Sequence, residues 1–208
     1  MRRTSILAVA FGAALLGAAP APAVTSFLET WAKIPSYTTA IKVHETKGSD
    51  VQDRTYRYAY LKPHYAKIDI TGGPGKGGGA VWTGGDSVSG HQGGFLSGIH
   101  LKVGIKDGRA TSLRGDTMDT ASFENMAEAL KSATSVTVKE ETVDGKPCDV
   151  ASFPYTDSNG ATRREIALSR ATHLPVRRTT LAGETAVKIE DFSDINTAAN
   201  LKPDDFHG

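Results

Sequence analysis

The chain has 208 residues, with 24 Lys and Arg against 23 Asp and Glu, and hydrophobic residues make up 39% of it. That length favours one domain with an extension. The near-neutral charge offers no basic field to hold nucleic acid or an anionic membrane surface. The single cysteine, Cys148, excludes an intramolecular disulfide.

The N-terminus reads Met1-Arg-Arg, then an apolar run from Ile6 to Leu16, then Ala21-Pro-Ala23. A basic start, a short apolar stretch and a small-x-small site predict a secretory signal peptide over 1–23, cleaved after Ala23, with a single domain over 24–208. The apolar run is shorter than the ~20 residues of a membrane span, so the expected product does not span a membrane. No cysteine stands near the cleavage site to take a lipid. Removing residues 1–23 leaves 22 basic against 23 acidic side chains, a formal charge of −1.

Thr25 or Ser26 is expected to cap a helix running to about Ile34, with Phe27, Leu28, Trp31 and Ile34 as its apolar stripe. Tyr37, Thr39, Ile41 and Val43 alternate with polar residues and predict a strand, closed by the turn Lys47-Gly-Ser-Asp50. Tyr56, Tyr58 and Tyr60 share one face of the next strand, which Lys62-Pro63 ends. Tyr65 to Ile70 follows, with Ala66, Ile68 and Ile70 on its apolar face. A glycine-rich turn leads into Ala80-Val-Trp-Thr83, and Gly84-Gly-Asp86 into Ser87-Val-Ser89. This is an antiparallel meander with one apolar and one wet face. Gly98 to Gly104 reads as a further strand, and Lys106 to Gly115 as exposed loop. Asp119 is expected to cap a helix over about Thr120 to Lys131, with Phe123, Met126, Ala127 and Leu130 inward. The last third reads as strand after strand: Thr134–Val143, Pro147–Tyr155, Thr162–Ser169, Leu174–Leu181 and Thr185–Phe192. Nine or ten strands and two amphipathic helices give an α+β, mostly β fold, in which the helices cover part of a curved antiparallel sheet.

The order of strand, Lys62-Pro63, strand, glycine-bearing turn, Val81-Trp82 and Gly85-Asp86 turn resembles the LolA/LolB-like periplasmic lipoprotein carrier superfamily. Asp144-Gly-Lys-Pro-Cys-Asp-Val150, Thr172-His-Leu-Pro-Val176 and Asn200-Leu-Lys-Pro-Asp-Asp-Phe206 resemble its late hairpins and closing motif, so the likeness covers most of residues 27 to 206. The resemblance implies a half-open barrel with the helices as a lid, periplasmic location, no enzymatic activity, no cofactor, and lipid or lipoprotein acyl chains as cargo. It also implies a role for Lys62 at the rim of the lid. The carriers hold arginine there, and lysine lacks its planar fork.

Several short motifs could carry chemistry. Gly73, Gly75 and Gly78 satisfy G-x-G-x-x-G, but Pro74 interrupts them and a strand pattern follows, so a hairpin turn is expected rather than a nucleotide site. Gly85-Asp86-Ser87 is expected as a β-turn in which Asp86 accepts local backbone hydrogens, because His91, His100 and His173 are scattered and supply no base motif. Cys148 is expected as a small strand residue, and the histidine spacing offers no metal site.

The apolar faces carry the functional expectation. Tyr58, Tyr60, Ala66, Ile68, Ile70 and Trp82 would line the concave side, with Phe27, Trp31, Phe123 and Leu130 closing over them. Two readings of that space stand level, an acyl-chain cavity and a sealed core. A rival for the function is a non-enzymatic envelope sensor or scaffold of the same fold, binding a protein partner at its open sheet edge. A second rival is an envelope hydrolase.

Overall fold

The computed structural model describes residues 21–94 and 99–207. The chain runs α1 (Pro22–Ala32), β1 (Ser36–Lys47), β2 (Asp50–Leu61), β3 (Tyr65–Gly72), β4 (Gly79–Trp82), β5 (Ser87–His91) and β6 (His100–Gly104). After a 3-10 turn at Met118–Ala121 come α2 (Phe123–Ser132), β7 (Thr137–Val143), β8 (Lys146–Pro154), β9 (Arg163–Ser169), β10 (Pro175–Ala182) and β11 (Thr185–Asn196). The expected leader lies outside the described residues, apart from Ala21 to Ala23 at the start of α1, and so does Gly98.

All eleven strands form one antiparallel sheet in the order β6-β5-β4-β3-β2-β1-β11-β10-β9-β8-β7. The first and last strands meet at β1 and β11, so the chain lays down two meanders side by side. β6 and β7 stay unpaired with each other, and the curved sheet is a barrel left open, with α1 and α2 packed on its concave side. Among the described residues no helix is long and apolar enough to cross a membrane.

Both helix starts differ from expectation. α1 begins at Pro22, upstream of Thr25 and Ser26, and no side chain caps it. Proline suits a first turn because its missing N–H would have no helical partner there, and the Ala21 carbonyl accepts the amides of Val24 and Thr25. Asp119 falls inside the 3-10 turn, and Ser122 caps α2 instead, its Oγ accepting the Asn125 amide at 3.0 Å. Val24, Phe27 and Trp31 form the buried stripe of α1; Phe123, Met126, Ala127 and Leu130 form that of α2.

Turn chemistry explains the hairpins. Asp144 and Gly145 both adopt positive φ, 49° and 76°, the conformation of a two-residue turn matched to strand twist. The glycine-rich stretch closes β3 on β4, with the Ile70 amide donating to the Gly78 carbonyl and the Gly77 amide donating to the Ile70 carbonyl. At Gly84-Gly85 the backbone carbonyl of Asp86, rather than its carboxylate, is engaged, accepting the Ile105 amide.

Candidate functional site

The concave face divides into two halves. In the first, α1 and α2 close on the tyrosines of the sheet. Register places Tyr60 opposite Tyr37, and both Ala66 and Ile68 beside their tyrosine partners, so these side chains share one face. Phe123 stacks on Tyr37 with centroids 4.3 Å apart, and Trp31 meets both rings edge-on. The polar ends are satisfied: Tyr37 Oη accepts the Phe123 amide, Tyr58 Oη donates to the Met118 carbonyl, and Tyr60 Oη donates to the Pro63 carbonyl. Burial pushes all three phenols up, so they stay neutral donors at any physiological pH.

In the second half neither α1 nor α2 covers the sheet. The segment 105–118 crosses it as a strap, and a cavity of about 430 Å³ lies between strap and sheet. Ile41, Val43, Tyr56, Ile68, Ile70 and Ala80 form the sheet wall; Ala110, Met118 and Ala121 form the roof. The glycine turns close one end. Gly93 lies so near Lys76 that a Cβ there would sit 2.0 Å from its carbonyl oxygen, so only glycine permits this approach.

The strap is anchored by buried ion pairs beside the apolar packing of Ile105, Ala110 and Met118, and it is not wholly the exposed loop that its polarity suggests. Arg114 is buried, with its guanidinium donating to the carbonyls of Thr46 and Asn159 and pairing with Asp157 at 2.9 Å. Glu45, fully buried on β1, accepts the amides of Leu113 and Arg114. Asp116 pairs with Lys188 of β11 at 2.6 Å, and Lys188 lies 3.3 Å from Glu190. Glu190 in turn takes Arg178, which also donates to the Thr120 carbonyl. Burial opposes the charge on Asp116, but the cations of Lys188 and Arg178 outweigh it and hold the carboxyl at about 2. Arg164, buried on β9, lies over the Tyr155 ring instead of a carboxylate.

The residues expected to line one cavity are divided between these halves. Ile68 and Ile70 reach the cavity. Tyr58, Tyr60, Ala66, Phe27, Trp31, Phe123 and Leu130 are buried in the helix-covered half. Trp82 is half-buried at the rim, its indole donating to the Gly85 carbonyl. Lys62 sits at the same rim: its ammonium donates to the Trp31 carbonyl at 2.6 Å and lies 4.0 Å from the Trp31 ring centroid. It thereby ties the last turn of α1 to the end of β2. Cys148 is buried among Val143, Val150 and Ala167 in a separate small cluster, and burial pushes its thiol up. The anchoring of the strap and Arg54 were missed, and Tyr56, placed on the inward face with Tyr58 and Tyr60, was not counted as a lining residue. Counting back by twos from Tyr60 reaches Tyr56 and Arg54, and that period was the available signal.

No family model matches the sequence, and no curated protein matches it. Solved structures do resemble the fold. MucB superposes with a TM-score of 0.50 at 16% identity, over 89% of this chain and 61% of MucB, so this chain spans less than two thirds of that protein. A LolA superfamily protein from Nitrosomonas europaea gives 0.42 at 11% identity, over 89% and 97% of the two chains. The lipoprotein LppX from Mycobacterium tuberculosis gives 0.49 at 15%, over 86% and 96%. At such identities the likeness is one of fold.

Proposed function

We propose that this chain is an exported, non-enzymatic binding or carrier protein that encloses acyl chains of a lipid or lipoprotein between the curved sheet and its cover. The observation that carries this reading is the cavity of about 430 Å³ under the strap. Ligand sites commonly measure ~300–1,000 Å³ and are mostly apolar with few polar groups. A methylene leaving water for such a wall gains ~0.8 kcal/mol, so an alkyl chain is a natural occupant. The half closed by α1 and α2 is a packed aromatic core; it supports the sheet and the rim at Lys62 while the strap half holds the cargo. Processing after Ala23 and residence in the periplasm belong to the same proposal.

The test is binding of an apolar fluorescent probe by delipidated protein, together with native mass spectrometry of protein taken from the producing cells. Bound lipid and saturable probe binding are expected. Ile68→Glu is expected to abolish probe binding while the circular dichroism spectrum is kept, because an unpaired carboxylate in an apolar wall is costly. A delipidated protein that binds no probe would sink the carrier reading.

One observation favours a second reading, a scaffold that binds a protein partner. β6 is an open edge, and Leu101 on it and Ile99 beside it are exposed. Unpaired edges with apolar side chains accept an added strand. A stable complex formed by protein free of lipid would favour it.

A further inference from the structure

The cavity has a polar end, and its groups are unequally satisfied. Two carboxylates face it, Asp116 and Glu190, and each is held by a buried cation, Lys188 and Arg178 respectively. Arg109, on the strap, is taken by Asp107 through two bonds of 2.9 and 2.7 Å. Arg54 differs. It projects from the concave face of β2, opposite Val43, and lines the cavity. Its Nε is buried from solvent and has no hydrogen-bond partner among the described residues, and no carboxylate pairs with its guanidinium there. Tyr56, two residues along the same face, adds a phenol beside it.

A buried guanidinium donor left without an acceptor is costly and calls for an explanation, and unlike Arg114 and Arg163, whose other nitrogens pair with carboxylates, Arg54 would find one in an added ligand. Among the described residues the neighbouring anions are already paired, and Arg54 is the cation of this wall with no carboxylate partner, placed to take an added negative group. We propose that Arg54 receives the anionic head of a single-chain amphiphile, a carboxylate or a phosphate monoester, whose alkyl chain lies along Ile68, Ile70 and the strap. The planar fork of arginine suits either head through two parallel bonds. This inference rests on the acyl-chain reading of the cavity.

Titration calorimetry with laurate, dodecyl phosphate and dodecanol tests it, since the three share one chain and differ in the head. Wild-type protein is expected to bind an anionic amphiphile about tenfold or more tightly than dodecanol. Whichever of laurate and dodecyl phosphate binds more tightly identifies the head. Arg54→Gln is expected to bring the anionic ligands down to the dodecanol level, leaving dodecanol unchanged within about twofold. Arg54→Lys keeps the charge without the fork and is expected to retain part of the preference, which guards against a folding defect in the glutamine variant. Equal binding of all three ligands by wild type would overturn the head-group site and leave the acyl reading standing. Failure of all three to bind would overturn both.

Discussion

At the scale of single residues, the concave face is built from side chains that would be unusual in isolation. Arg178 is fully buried, and it is tolerable because both arms of Glu190 accept from it and the Thr120 carbonyl takes a third bond. Pairing inside a low-dielectric interior offsets desolvation only when every charge has its partner. Removing one member therefore costs far more than removing both. Arg178→Met should destabilise the fold by ~3–5 kcal/mol, because buried Glu190 would lose both guanidinium bonds and keep only the Lys188 ammonium that Asp116 shares. The double change Arg178→Met with Glu190→Met should recover most of that loss. Urea denaturation of the two variants checks this, and a single variant within ~1 kcal/mol of wild type would show that water reaches the pair. Lys62 is a milder case of the same chemistry. It is half-exposed at the rim, its pKa is lowered by desolvation, and its contacts are one carbonyl and one indole face.

At the scale of elements, the helix caps separate what local sequence specifies from what tertiary contact specifies. Ser122→Ala should cost about 1 kcal/mol by removing the bond to the Asn125 amide, lowering the melting temperature by roughly 2–4 °C. Thr25→Ala and Asp119→Ala should lack that capping loss, since neither residue caps a helix; equal losses in all three would return the caps to Thr25 and Asp119. The strands were legible because alternation and glycine turns are local signals: β1 to β5 and the five C-terminal strands fall within a few residues of where the pattern puts them. The face of β11 was not legible. Val187 and Ile189 are its apolar alternates, yet Lys188 and Glu190 are the residues turned inward and buried. Nothing in a run of Val-Lys-Ile-Glu says that Arg178 and Asp116 will be waiting on neighbouring elements. The strap was misread for the same reason. Its polar composition is that of a loop, and only the positions of Glu45, Asp157 and Lys188 in three distant segments turn Arg114 and Asp116 into buried anchors.

At the scale of the whole molecule, an open barrel needs closure on its concave side, and this chain uses two closures of different physical kind. The helix-covered half is closed by aromatic burial, which is insensitive to pH. The cavity half is closed by an ionic clasp, which is not. Asp116 is held at about 2 in the folded chain, against ~3.9 for a free aspartate. A depressed carboxyl contributes stability that is complete above its unfolded pKa and is lost as pH falls through the folded one, so the clasp is at full strength above about pH 5 and weakens between about 4 and 2. The shift corresponds to about 2–3 kcal/mol, or roughly eightyfold in the equilibrium for opening the strap. Hydrogen exchange, corrected for the intrinsic rate of each amide, should resolve the two closures. The Leu113 amide, bonded to Glu45 in the strap, should lose protection at pH 2.5 while the Phe123 amide, bonded to Tyr37, keeps it. Asp116→Asn should reproduce this selective loss at pH 6, because it removes the charge that Lys188 holds without touching the aromatic half. If both amides lose protection together, strap and helices form one cooperative unit, and cargo could leave only by a motion that disturbs the core.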